Sequence, residues 1–462
     1  MRFLAALRSL RSDLRLAWLL THGSDRGEWW RITLTATGAA LATGFALAAA
    51  TLASVRGSHR APVGAGLLDE PGTRAGVIVG LLLLLVPVLG FLGQCARIGA
   101  VHRDRRLAGL RLAGASPWQV RRIAALETGL ACLLGSALAT VFSVLFLLRL
   151  WHRPAALTWA AIALVAVAVP VLAAATGALA LRRVVASPLG WVRRVGGPRT
   201  GRGPALLFLA GVLLVGVVAL LAVTATSPGA PNRPDGESAL RVLGVVLAVG
   251  AGAVWLSGAT SRLLGRWLAA RARSAAVLIA AERLRDDPWA AARTHAAVLL
   301  VTIVGSGFLG VRHALLELLD SGTRLSESRS YYTTGLDLTA AALAVGLLIT
   351  LSGLAVGTAE SLATRRRGLA AQSAAGVPRA VLVRALLLET ALPLAPAVLL
   401  AGTSGAALGI GYASLVGHGG GLTVPWGSVL LPPVIYAACL LAAATSLPLL
   451  HRSLRPGELR YA

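Results

Sequence analysis

Two glutamates, Glu127 and Glu389, stand inside long apolar runs that read "AALETGLACLL" and "ALLLETALPLA". A carboxylate in a hydrocarbon setting is costly and marks a functional position by default, for example as a proton carrier. Each also stands five residues after an arginine, Arg122 or Arg384, so local ion pairing or a wet bundle interior is the competing, structural account. Other chemistry is sparse. Eight histidines are scattered without HExxH or a close pair, which excludes a locally built metal site. No GxSxG elbow occurs, and no Rossmann glycine fingerprint follows a strand. All 44 basic residues are arginine, so a phosphate-gripping P-loop lysine and a Schiff-base lysine are both excluded. We therefore expect no catalytic site, no metal and no cofactor on this chain, and any ATP chemistry must come from a partner. Cys95, Cys132 and Cys439 lie in or beside apolar runs, where a thiol serves as a small hydrophobe and implies no disulfide framework.

The elements that must carry these residues follow from composition. With 56% hydrophobic and 14% charged residues and a mean hydropathy of +0.74, the chain is too apolar for a wet surface. Apolar stretches of about twenty residues, enough helix to cross about 30 Å of hydrocarbon, recur along it. We place spans near 32–55, 75–97, 121–148, 157–181, 203–226, 239–258, 294–315, 337–359, 385–412 and 427–450. The formal charge of +25 sits between these spans and not on one soluble face, which excludes a nucleic-acid partner. With the N-terminus inside, about 34 of the 44 arginines fall on the cytoplasmic side, the bias expected of a plasma-membrane protein with both termini cytoplasmic. The N-terminal stretch lacks the regions of a signal peptide and reads as a retained amphipathic helix on the membrane surface.

A segment recurs. "RDRRLAGLRLAGASPWQVRRIAALET" at 103–128 and "RRRGLAAQSAAGVPRAVLVRALLLET" at 365–390 align without a gap, 262 positions apart. Arg103 meets Arg365, Arg105 meets Arg367, Leu107 meets Leu369, Gly114 meets Gly376 and Glu127 meets Glu389. The same shift lays spans one to four over spans seven to ten, and Arg31 over Arg293. Six spans precede the second copy, so both copies share one orientation and the repeat axis follows the membrane normal. In each copy a short helix leads to a glycine able to take the left-handed conformation that ends it. Ser116 and Pro117 then start the next helix as cap and first residue, and Pro378 takes the corresponding place in the second copy.

The expected fold is an all-α polytopic membrane protein, with about ten transmembrane helices as two parallel four-helix repeats joined by two linking helices. Its expected organisation is a cytoplasmic amphipathic segment at 1–30, a first repeat at 31–183, a two-span linker at 184–275, a second repeat at 276–451 and a cytoplasmic tail at 452–462. The abundant small residues in the spans suit close helix packing, or a seam that slides.

The segment "RLAGLRLAGASPWQVRRIAALETGL" resembles the signature of FtsX-like, MacB-type permeases of ABC transporters, and "AAERLRDDPWAAARTHAAVLL" resembles the start of the second half in two-copy actinobacterial members. That resemblance implies a permease driven by two copies of a cytoplasmic ATPase, which would hold ATP and Mg. It makes 103–114 and 365–376 coupling helices, with Arg103, Arg105, Arg365 and Arg367 flanking the contact, Leu107 and Leu369 as apolar anchors, and Gly114 and Gly376 as stops. The short outer loops depart from relatives that carry a large extracytoplasmic domain. They favour export or extraction of an amphipathic substrate, such as an antimicrobial peptide, a drug or a lipid, from the membrane. The second copy is degenerate, so the two ATPase contacts are expected to be unequal. Two rivals differ in class. An ion-coupled secondary transporter would use Glu127 or Glu389, and a non-transporting scaffold would engage an extracellular partner through 316–336.

Overall fold

The computed structural model describes residues 26–55, 57, 66–95, 109–150, 156–180, 234–321, 327–416 and 425–453. Among these the ordered elements are helices: α1 (Arg26–Ser54), α2 (Pro71–Cys95), α3 (Pro117–Leu150), α4 (Ala156–Ala180), α5 (Pro234–Arg271), α6 (Ala275–Asp286), α7 (Pro288–Asp320), α8 (Arg329–Thr364), α9 (Arg366–Ala374), α10 (Arg379–Val416), α11 (Trp426–Ala444) and α12 (Leu447–Ser453). Eight of them, α1 to α4, α7, α8, α10 and α11, are long and apolar enough to cross a membrane. These coincide with expected spans one to four and seven to ten, and the chain is an all-α polytopic membrane protein. The sixth expected span falls inside α5, whereas the fifth and residues 1–25 of the expected N-terminal amphipathic segment lie outside the described residues, and 26–30 belong to α1.

The chain divides into two compact units, Met1–Val55 with Leu92–Arg199, and Arg56–Phe91 with Thr200–Ala462. The boundary does not follow the repeat: it assigns most of α2, the second span of the first copy, to the second unit. In the first unit α1, α3 and α4 pack pairwise. Gly135 permits the closest approach, since a methyl there would run into the carbonyl of Ala36. Two hydroxyls inside these apolar helices turn back on their own backbone, Thr35 to the Arg31 carbonyl and Thr140 to that of Ser136, which satisfies their donors within the helix. Between helices, Ser136 donates to the Ala166 carbonyl at 3.1 Å and the Ser54 and Thr158 hydroxyls pair at 2.7 Å.

In the second unit α7, α10 and α11 form the equivalent trio, with α5 packed on α7 and α10, and α8 packed on α7 and α11. Its core joins Leu299 and Ile303 of α7, Leu394 and Ala401 of α10, and Ile435 and Cys439 of α11. Glycine again sets the spacing: Gly310 lies against Gly409, and Gly405 against the Ile303 carbonyl. On α8, Gly346 accepts Leu84 and Pro87 of α2, and Gly353 accepts Phe91. The ends of α7 and α8 are tied by Arg329 to Asp320 at 2.7 Å and by Arg312 to Asp337 at 3.2 Å. Most of the stretch 316–336 is therefore helix end. Arg74, fully buried, donates to the carbonyls of Gly57, Leu68 and Asp69 and so gathers the loop before α2.

Candidate functional site

The repeated segment builds the same turn twice. In the first copy, residues 109–112 are helical and Gly114 takes φ +97°. Its N–H donates to the Arg111 carbonyl at 3.1 Å, and that of Ala115 reaches back to Leu110 at 2.9 Å. In the second copy Gly376 takes φ +88°, its N–H donates to Ser373 at 3.0 Å and that of Val377 to Gln372 at 3.1 Å. Both are Schellman stops, the paired six-to-one and five-to-two bonds that close a helix on a left-handed residue. Every donor and acceptor in one copy stands 262 positions from its counterpart in the other. Among the described residues nothing lies within 4 Å of a methyl placed on either glycine, and the left-handed backbone conformation selects glycine there.

The next helix starts in register as well, α3 at Pro117 and α10 at Arg379. Ser116 caps α3 reciprocally with Gln119: the Gln119 N–H donates to the serine hydroxyl at 3.2 Å, and the Ser116 N–H to the glutamine side chain at 2.9 Å. Pro378 holds the equivalent place with its carbonyl alone, accepting from Val381 at 3.0 Å. The two turns differ in what they present. Leu112 and Trp118 stand 71% and 69% exposed, and their counterparts Ala374 and Ala380 are exposed alanines.

Glu127 and Glu389 are both ion-paired. Glu127 is buried and accepts from Arg31 of α1, 96 positions away. Glu389 accepts from Arg365 at 2.7 and 2.9 Å and from Arg283 of α6 at 3.0 Å. The expected partner of Glu389, Arg384, is exposed and makes no such bond, because five residues of helix turn it about 140° to another face. Arg365 therefore ties the start of α9 to α10.

Leu369 departs from its expected role as an anchor for a partner. It is buried with Leu362, Leu382, Leu386 and Leu450, and fastens α9 to its own chain because its face of the short helix meets α8, α10 and α12. Arg103, Arg105 and Leu107 lie outside the described residues, as does the side chain of Arg367. Sequence reasoning missed Arg31 and Arg283 as carboxylate partners. The signal for Arg31 was its recurrence as Arg293 in the 262-residue repeat, a cation held beside an apolar run. Among the described residues no group of three or more His, Cys, Asp or Glu is placed to hold a metal ion. What the site offers is mechanical: a stiff helical turn, an exposed tip and charged roots.

Residues 76–189 match the family model described as FtsX-like permease C-terminal. The match runs from within α2 through the first turn and α4 to nine residues past it, and supports an ABC-transporter permease type of multi-pass membrane protein, a type generally not catalytic itself. No curated protein and no solved structure matches the chain.

Proposed function

We propose that this chain is the membrane subunit of an ATP-driven transporter, whose two Arg-rich turns each receive one cytoplasmic ATPase carrying ATP and Mg. The observation that carries the reading is the twice-built Schellman turn, identical in hydrogen-bond register between Leu110–Ala115 and Gln372–Val377. A membrane protein needs one such turn to reverse direction; two alike, joined to equivalent helix trios, suit a pair of like partners. Association of the ATPases would press the turns together, and α3 and α10, continuous from each turn into the membrane, would carry the movement inward. We read the chain as an FtsX-like, MacB-type permease in a two-copy form, and the short loops between its spans favour export or extraction of an amphipathic substrate from the membrane. Ion pairing of Glu127 and Glu389 speaks for a structural role and against the ion-coupled alternative.

The test is affinity purification of the tagged chain from its native membrane, followed by mass spectrometry and transport in proteoliposomes. Recovery of a soluble ATPase at two copies per chain, with transport that requires ATP, is the expected result. A chain that arrives alone and transports under an ion gradient overturns the reading.

A further inference from the structure

A cavity of about 520 Å³ opens where the end of α5 meets α6, lined by Arg266, Ala269, Ala270, Glu282 and Arg285. It exists because Gly265 lets the two helices touch backbone to backbone: a methyl there would lie 3.0 Å from the Ala281 carbonyl oxygen and 3.0 Å from the Arg285 nitrogen. That contact brings Arg266, the next residue, alongside Arg285. Arg285 shares its charge with Glu282 at 3.4 Å, whereas Arg266 has no ion partner among the described residues. The cavity therefore holds net positive charge with one uncommitted guanidinium, a fork suited to phosphate oxygens.

Depth identifies the source of that phosphate. In the sequence the apolar run of α5 ends near residue 258, and Arg266 follows eight residues later, about 12 Å along the axis, the distance at which headgroups would lie were that run to cross the membrane. Arg285 stands three residues before Pro288, where α7 begins its course back into the apolar region, so it shares that level. Beside the cavity Leu263 and Trp267 are exposed, and Arg271 stacks over the Trp267 ring at 5.0 Å. Exposed Trp and Leu next to arginines form the edge of a membrane-facing surface, not of a water-filled one. We infer that the cavity between α5 and α6 binds the phosphate-bearing headgroup of an anionic membrane lipid, held by Arg266 and Arg285 with the acyl chains along Leu263 and Trp267. The site needs no ATPase and stands apart from the two turns.

The experiment uses the full chain in phosphatidylcholine vesicles containing a minor share of brominated phosphatidylglycerol or, separately, of brominated phosphatidylcholine. The fluorescence of Trp267 is taken as the difference between the chain and its Trp267→Phe variant. Quenching by the anionic lipid should exceed quenching by the neutral one, and Arg266→Gln should lower that preference about fivefold, the worth of one interfacial arginine. Glu282→Gln, which frees Arg285, should raise the preference, so a poorly folded Arg266 variant does not shelter the idea. Equal quenching by both lipids overturns the site. So does an equal loss in Arg384→Gln, since Arg384 is exposed on α10, does not line the cavity and would report only diffuse charge. Saturable binding of inorganic phosphate by the detergent-solubilised chain, together with no preference for the anionic lipid in vesicles, would assign the cavity to a soluble anion and overturn the lipid assignment.

Discussion

Arg31 and Glu127 show how a charge is kept in an apolar bundle, with side chains only 10% and 4% exposed. Taking either out of water is costly, and the pair persists because each neutralises the other. Removing one partner leaves a buried charge, so Arg31→Leu should destabilise the protein by about 3–5 kcal/mol, read as loss of folded protein in a detergent thermal-shift assay. Arg31→Leu with Glu127→Leu should recover most of that loss, since a well-packed apolar pair often matches a buried ion pair. Failure of the double variant to recover would mean that Glu127 does more than balance Arg31. Glu389 is less buried at 20% and shared by Arg283 and Arg365, so Glu389→Gln should cost less than Arg31→Leu in the same assay. That these glutamates need arginines was legible in the sequence, because a carboxylate in an apolar run must find a cation. Which arginines was not: Arg31 and Arg283 come from other helices, and no local spacing encodes a contact 96 or 106 positions long.

At the scale of elements, glycine decides two different things. Gly114 and Gly376 supply a left-handed backbone in open space, so Gly114→Ala and Gly376→Ala should each cost about 1–2 kcal/mol from conformation alone. The effect should appear as faster hydrogen exchange confined to the turn and the helix before it. Gly376→Asn should cost less, because asparagine tolerates that conformation. Gly135 and Gly405 instead give room for a neighbouring backbone. Gly135→Leu should push α1 and α3 apart, and Gly405→Leu α7 and α10, each with loss of folded protein in membrane extracts. The stops could be read from sequence, because "LAGASP" and "SAAGVP" place a glycine between a helical pattern and a helix start. The packing glycines could not, since 52 glycines fill the chain and only the helix pairing separates contact positions from lipid-facing ones. The assignment of α2 to the second unit was likewise illegible, because its register reflects Leu84, Pro87 and Phe91 fitting Gly346 and Gly353 and not any periodic signal.

Over the whole molecule the repeat is conserved in backbone and broken in side chains, and this bears on how two ATPases would be held. At the first turn Leu112 and Trp118 are among the most exposed large apolar residues, and at the second the same positions carry Ala374 and Ala380. Covering a leucine and a tryptophan contributes several kcal/mol more than covering two alanines, by about 25 cal/mol per Å² of apolar surface. The second turn compensates in rigidity: Leu369 is locked into the leucine cluster with Leu382 and Leu450, and Arg365 is bonded to Glu389. If the turns receive ATPases, the first grips through apolar contact and the second offers a pre-set but smooth surface. Leu112→Asp with Trp118→Asp should then reduce ATPase retained on the purified chain by at least about tenfold at that turn, leaving one copy per chain at moderate ATPase concentration. Ala374→Asp with Ala380→Asp should change retention far less. The alternative use of Trp118 is as a membrane-edge anchor, as tryptophans near span ends commonly are. On that account the first pair of substitutions would disturb insertion and leave the ATPase count per inserted chain unchanged, so mass photometry of the inserted fraction separates the two.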